Sequence, residues 1–439
     1  LLLNIEKLIY GGDGLARLQG GSPSGDDRGR GKAVFVPFVL GGEKIEATIT
    51  EEKPGFARAH AQAIVESSPH RVSPPCPYFG RCGGCQYQHA SYEYQVEIKK
   101  EILRENLRRI AKLELQCEIE VHSSPPWNYR NRSRLQMRTR PEFAMGYFKF
   151  SSHELLAVEE CPISSPLINR GLAALWKSGR AGQAVEGVRE VEFFANADDT
   201  KMLVELLCAP EARRAAVRAW AEELCRSMPE IAGVTAFREP QKGVREPLVA
   251  VGAADLTYQT KMAAYRVSAG SFFQTNRFLT DELIDIVTAG RSGELALDLY
   301  AGVGLFSTAL ACNFRHIVSV ESSQTADDDL QYNLPGNGKA VRASADQYLA
   351  GRTALPQDKP QDKPDLVVVD PPRGGLGDSV ARALASLAAP CVTYVSCDPA
   401  TLARDLVPLL AAGYGVDRAH MVDLFPQTYH LESVLQLVL

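Results

Sequence analysis

No stretch of the 439 residues approaches 18 consecutive apolar positions, and the chain does not begin with a basic segment leading into an apolar one. That sets aside a helical membrane span and a secretory leader, and a soluble, cytoplasmic protein is expected. The first residue is Leu rather than Met, which reads as a trimmed start. An excess of positive charge is missing too. The 48 Lys and Arg are outnumbered by 53 Asp and Glu, for a net charge of −5, so a role on nucleic acid would need a local basic face. A disulfide framework is lacking as well. The ten cysteines are spread over a long chain and three of them crowd into 76–85, which fits a reducing compartment better. With 45% apolar and 23% charged residues, the chain can bury two or three sizeable cores.

The stretch that organises the rest is 392–410, VTYVSCDPATLARDLVPLL. An apolar run ending at Ser396 reads as a buried strand, and Leu402, Leu406, Leu409 and Leu410 carry a helical period. Asp398 is the expected N-cap, Pro399 the first helical residue and Gly413 the stop. Cys397 then lies at a strand's C-terminal end, where an open α/β sheet presents chemistry. The positive helix end there should favour thiolate over thiol.

The first 66 residues read as short strands at 5–10, 33–38, 44–50 and 56–65, with Gly11-Gly12, Gly41-Gly42 and Pro54-Gly55 as turns and a polar loop over 20–32. This suits a small OB-type barrel, an oligonucleotide platform on which Arg58, His60 and Gln62 share a face. Cys76, Cys82 and Cys85 form CPYFGRCGGC, and Cys161-Pro162 offers a fourth thiol. Four thiolates can hold zinc or an iron–sulfur cluster, and the spacing alone does not choose. His89 is an alternative ligand. In YRNRSRLQMRTR (129–140), Arg130, Arg132, Arg134, Arg138 and Arg140 all fall at even positions. On a strand they would form one phosphate-tracking stripe. Helices are expected at 92–110, 167–177 and 211–228, and strands at 188–195 and 201–207.

From about residue 258 the pattern becomes α/β. A strand ends at Tyr300, and Ala301-Gly302-Val303-Gly304 turns into a helix at 305–312. Ser307 replaces the third glycine of a dinucleotide fingerprint, which disfavours NAD. The next strand ends in Glu321, placed to hold a ribose, and Asp346 follows the third strand region, placed for an adenine amino group. A further strand, 366–369, leads into Asp370-Pro371-Pro372-Arg373 after a tandem QDKPQDKP linker. Gly turn, acidic strand end, Asp-Pro-Pro and the Cys397 turn follow in the order of an S-adenosylmethionine site. Enzymes that methylate exocyclic amines place an aromatic after Asp-Pro-Pro, and here Arg373 stands there, which points to chemistry that uses the cysteine.

That chemistry suits carbon-5 of uracil. C5 is too weak a nucleophile to attack a sulfonium methyl unaided. A thiolate adding at C6 turns the ring into an enolate, and a base must later remove the C5 proton. Glu432, at the start of an expected final strand over 431–438, is the candidate base. The motifs CPYFGRCGGC, YRNRSRL, SFFQTN, DLYAGVG, VVVDPPR, SCDPATLARDL and FPQTYHLE make the chain resemble the bacterial RNA 5-methyluridine methyltransferases, and most closely the branch acting on 23S ribosomal RNA. The resemblance implies an α/β multidomain protein. Residues 1–66 would be a TRAM barrel, 67–257 a central domain with a [4Fe–4S] cluster, and 258–439 a Rossmann-like methyltransferase domain, with the helix at 92–110 packing on the last. It implies Cys397 as nucleophile and Glu432 as proton acceptor. Gln274, Tyr300, Gly302, Gly304, Glu321, Asp346 and Asp370 would contact cofactor or substrate, and Cys76, Cys82, Cys85 and Cys161 would hold the cluster. Phe272 and Phe273 would stack on a flipped base, with Arg130, Arg132 and Arg134 on the RNA. Leu305 departs from the Asn such enzymes often carry. The tRNA-specific branch usually lacks the cluster, so ribosomal RNA is the expected partner of a monomeric enzyme. A transfer RNA enzyme, or a non-catalytic RNA-binding assembly factor with a vestigial cofactor pocket, are the alternatives.

Overall fold

The computed structural model describes residues 1–18, 31–239, 246–353 and 363–439. Most of the polar loop expected at 20–32 and of the QDKPQDKP linker lies outside the described residues. At the N-terminus six strands form one sheet in the order Leu2–Asn4, Lys44–Glu52, Phe56–Glu66, Lys32–Pro37, Asp13–Leu18, Lys7–Leu8. Its alternating residues close a small core of Val34, Val36, Ile45 and Ala57. Asp13–Leu18 was not among the expected strands, since its alternation is too brief to read.

The central sheet has seven strands in the order Leu155–Ala157, Ala144–Phe148, Arg132–Arg138, Val188–Ala195, Met202–Cys208, Ile231–Arg238, Glu246–Gly252. Helices Pro166–Arg180 and Arg214–Ser227 pack on it through Leu172, Leu175, Trp220 and Leu224.

The C-terminal sheet has eight strands in the order Gly338–Arg342, Phe314–Glu321, Gly293–Leu299, Leu366–Val369, Cys391–Ser396, Glu432–Val438, Gly415–Val422, Ile119–His122. The first five run parallel, and Glu432–Val438 enters antiparallel between two others. Leu366–Val369 is buried throughout, as a central parallel strand covered on both faces must be. This sheet takes one strand from the expected unit 67–257, whose helix at 92–110 was expected to pack on the last domain. Ile119–His122 pairs with Gly415–Val422. Helix Tyr92–Ile110 lies on helix Pro399–Ala411, with Leu103 and Leu107 in one core with Leu402 and Leu406. A four-residue strand whose partner lies some three hundred residues away leaves no periodic signal. Among the described residues no helix is long and apolar enough to cross a membrane.

Candidate active site

The strand Gly293–Leu299 turns through residues 300–304 into the short helix Leu305–Leu310. Tyr300, Gly302 and Gly304 take positive φ of 66°, 55° and 93°. Tyr300 is the strained member, at a cost of about 1–3 kcal/mol. A Cβ on Gly304 would meet Leu330 Cδ1 at 2.9 Å, whereas one on Gly302 would meet nothing within 4 Å, so Gly302 offers bare backbone to a ligand. Its N–H donates to Glu321 Oε2 at 2.9 Å, and Glu321 Oε1 accepts from the N–H groups of Ser322 and Ser323 at 2.7 and 2.6 Å. The carboxylate is thereby fixed at the mouth of the turn. Asp346 is exposed in the first turn of helix Ala345–Thr353 and accepts from the Ser379 hydroxyl at 2.6 Å.

Asp370 follows Leu366–Val369 at the centre of the same edge. Burial, reinforced by Asp298, pushes its carboxyl up to about 7. Asp298 is fully buried. It accepts from Ser307 through Oδ2, its Oδ1 has no hydrogen-bond partner among the described residues, and burial pushes it too up to about 7. Sequence reasoning passed over Asp298, although a carboxylate inside the apolar strand GELALDL was a legible signal. Gln274 is buried at 8% exposure beside Thr275, whose carbonyl accepts from the Asn131 N–H at 3.0 Å.

Asp398 caps its helix as expected, accepting from the N–H groups of Ala400 and Thr401 at 3.0 and 2.9 Å, with Pro399 as the first helical residue. Strand Cys391–Ser396 runs antiparallel to Glu432–Val438 with Ser396 opposite Ser433. Cys397 follows directly after this ladder, within reach of the Glu432 charge. The charge environment corrects the expectation of a favoured thiolate. Burial first, then the Glu432 and Asp370 charges, push the Cys397 thiol up to about 12, and Arg373 only partly opposes them. Glu432 is 5% exposed, its Oε1 has no hydrogen-bond partner among the described residues, and burial and then Asp370 hold it well above the usual carboxylate range. Burial of the sulfur is the larger cause, and the carboxyls beside it add to it. Arg373 Nη2 contacts His430 Nε2 at 3.2 Å, and burial, then Arg373, hold His430 down to about 3, hence neutral.

Residues 423–431, which lead into Glu432, are held from every side. Lys99 Nζ pairs with Asp423 Oδ1 at 2.6 Å, both side chains fully buried, and donates to the Phe425 carbonyl at 2.9 Å. The Gln427 carbonyl accepts from the N–H groups of Gln86 and Tyr87 at 3.0 and 2.9 Å. Gln95 hydrogen-bonds Gln427 through both its own amide atoms. The Tyr129 hydroxyl donates to the Pro426 carbonyl at 3.0 Å, and Asn276 to that of Leu424 at 3.1 Å. None of these clamps was anticipated, because each joins segments far apart in the chain.

The other predicted residues divide. Cys76, Cys82, Cys85 and Cys161 are all free thiols. Burial raises the first three, and Cys161, which packs in one small cluster with Cys85, raises each of them further. His89 is buried against the Val39 carbonyl at 3.3 Å, in the apolar region that joins the first domain to the loop. The arginine stripe does not survive. Arg132 is buried and pairs with Glu192 and Glu205, while Arg134 pairs with Glu192 and Glu190, so these guanidiniums meet internal carboxylates. Arg130 precedes the strand, bridged to Ser164 and Asn276. Arg138 is exposed and Arg140 pairs with Glu186. Phe272 is 62% exposed, but Phe273 is core at 2%, against Tyr258 at 4.4 Å, and cannot stack on a base. Away from this edge, Glu120, His122 and His420 bring donor atoms within 4.8 Å of one another. His122 is spent on Glu282 at 2.6 Å and on His420 at 3.1 Å.

A glycine turn and carboxylates along the C-terminal edge of the parallel strands suit a methyltransferase that uses S-adenosylmethionine. Comparison with known proteins agrees. A family model described as tRNA (Uracil-5-)-methyltransferase matches residues 91–438, and a TRAM domain model matches residues 1–61. An uncharacterized RNA methyltransferase of Aquifex aeolicus is 32% identical, with 99% of this chain and 97% of that protein covered. The 23S rRNA (uracil(1939)-C(5))-methyltransferase RlmD of Chromohalobacter salexigens is 33% identical, with 99% and 88% covered. The crystal structure of Pyrococcus abyssi tRNA (uracil-54, C5)-methyltransferase in complex with S-adenosyl-L-homocysteine shares the fold. It has a TM-score of 0.74 at 23% identity over 99% of this chain and 100% of that one. The chain belongs to the RNA (uracil-5-)-methyltransferase family and carries an N-terminal TRAM domain. It methylates C5 of uracil in RNA with S-adenosylmethionine as donor.

Proposed function

We propose that the chain methylates C5 of a uridine in 23S ribosomal RNA, with Cys397 as nucleophile and Glu432 as the base that takes the C5 proton. The charge of Glu432 acting on the Cys397 thiol, at the end of the ladder that pairs Ser396 with Ser433, supports this reading. The open backbone at Gly302, the fixed Glu321 carboxylate and the high-pKa Asp370 fit an adenosyl ligand, with Gln274, Tyr300, Gly304 and Asp346 around it. When bound, S-adenosylmethionine supplies an electrophilic methyl group. The resting thiol loses its proton as Sγ bonds to C6, and the electron pair moves onto C5 and O4 as an enolate. Once C5 carries the methyl group, Glu432 takes the C5 proton. The C5=C6 bond re-forms as the C6–S bond breaks, the proton on Glu432 returns to the freed thiolate, and the proton the thiol gave up at the start is the one lost to solvent per turnover. Exposed Phe272 suits stacking on a base drawn out of its helix.

The free thiols of Cys76, Cys82, Cys85 and Cys161 fit a [4Fe–4S] cluster, whose role here would be to order the loop that clamps Gln427. That cysteine set, with relatives named for 23S rRNA, supports ribosomal RNA over transfer RNA. Mapping 5-methyluridine in both RNAs, with and without the protein, tests the substrate. A site lost from transfer RNA alone overturns it. Cys397→Ala should abolish transfer while cofactor still binds, and Glu432→Gln should accumulate a covalent protein–RNA adduct. Equal iron and sulfide in anaerobically prepared protein supports the cluster, and stoichiometric zinc overturns it.

A further inference from the structure

The first domain touches the catalytic turn. The Tyr10 hydroxyl donates to the Cys397 carbonyl at 3.2 Å. Its ring meets that of Tyr429 edge-on at 5.4 Å, and Tyr429 lies on His430 with ring centroids 4.1 Å apart. Tyr10 precedes the Gly11-Gly12 turn, and a Cβ on Gly12 would meet Gln86 Cβ at 2.9 Å, so the turn is seated against the cysteine-loop segment that also grips Gln427. Leu8 and Leu40 share an apolar cluster with Tyr87, Ile98, Ile102 and Leu431, the residue before Glu432. Lys7 adds an ion pair to Glu105 at 2.5 Å. The docking is therefore apolar, hydrogen-bonded and charged at once, and its tip reaches both sides of the catalytic pair.

We propose that Tyr10 of the TRAM domain is a positioning residue of the methyl-transfer site. Its hydroxyl holds the Cys397 carbonyl, and its ring holds Tyr429, so that the sulfur and Glu432 keep their alignment on the uracil ring. The first domain then contributes to the chemical step and not only to RNA affinity. The inference rests on Cys397 being the nucleophile. Fixing one peptide of a turn sets the direction of its side chain, and loss of such alignment is felt in the rate of bond formation.

Tyr10→Phe in the full-length enzyme keeps the ring and removes the hydroxyl. About a five- to tenfold fall in kcat is expected, from the loss of one hydrogen bond, with unchanged KM for RNA and for S-adenosylmethionine and an unchanged melting temperature. The rate of covalent adduct formation on 5-fluorouridine RNA should fall by the same factor. Tyr10→Ala, which also removes the ring contact, should fall further. A Tyr10→Phe enzyme with wild-type kcat, or with its loss wholly in the KM for RNA, overturns the proposal. Cys397→Ala separates the two readings: full activity there removes the nucleophile itself, whereas no adduct with Cys397→Ala and a slowed adduct with Tyr10→Phe supports both.

Discussion

The cofactor side and the thiol side of the catalytic edge are built in opposite ways. On the first, residues 300–304 and Glu321 come from consecutive strands joined by one helix, and a backbone N–H ties the turn to the carboxylate. On the second, Cys397 and Glu432 come from two strands that pair antiparallel, while residues 423–431 are gripped by Lys99, Tyr87, Tyr129 and Asn276 from other parts of the chain. A local turn needs little support because its own φ angles and hydrogen bonds specify it. A pairing of distant segments needs many clamps, since each closes a long loop at an entropic cost.

Breaking the largest clamp should show this most clearly. Lys99→Met leaves Asp423 buried and unpaired, which costs about 3–5 kcal/mol. A large drop in melting temperature is expected, and Lys99→Met with Asp423→Leu should recover part of it; an unchanged melting temperature for the single variant would remove the clamp from the account. Asp298 tests the cofactor side with the opposite sign. Its folded pKa, about 7, lies above the ordinary 3.8, so the stability it contributes is present at low pH and lost as pH rises through about 7. Asp298→Asn, which cannot ionise, should therefore stabilise the cofactor-free protein by about 2 kcal/mol more at pH 8 than at pH 5 in denaturant titrations. A constant difference would show that Asp298 does not titrate there. Gly304→Ala should cost about 1–2 kcal/mol through its positive φ and Leu330, raising the KM for S-adenosylmethionine but not for RNA. The smallest effect separates the arginines. Arg138→Met should lower the slope of log affinity for RNA against log salt by about one, and Arg132→Met should leave that slope unchanged while lowering stability.

The stripe of arginines shows why part of the site was unreadable. Period two correctly placed Arg132 and Arg134 on a strand, but whether a charged face meets water, phosphate or carboxylate depends on the neighbouring strand. Here that strand supplies Glu190 and Glu192. Phe272 and Phe273 differ for the same reason, one exposed and one in the core. The thiolate expectation failed because the helix end was visible in sequence order, whereas the burial of the sulfur, and then the approach of Glu432 and Asp370, come only with the folded sheet.

By itself the amino-acid order determined the local chemistry: the Asp398 cap, the glycine turn, the acidic strand ends and the thiols of the cysteine loop. These are set by steric and hydrogen-bonding rules that act over a few residues. Only the tertiary structure decided which of those groups meet, that Ile119–His122 joins the last sheet, and that a tyrosine of the first domain reaches the catalytic turn. Contacts between remote segments are chosen by packing and desolvation of whole surfaces, and no short window of residues encodes them.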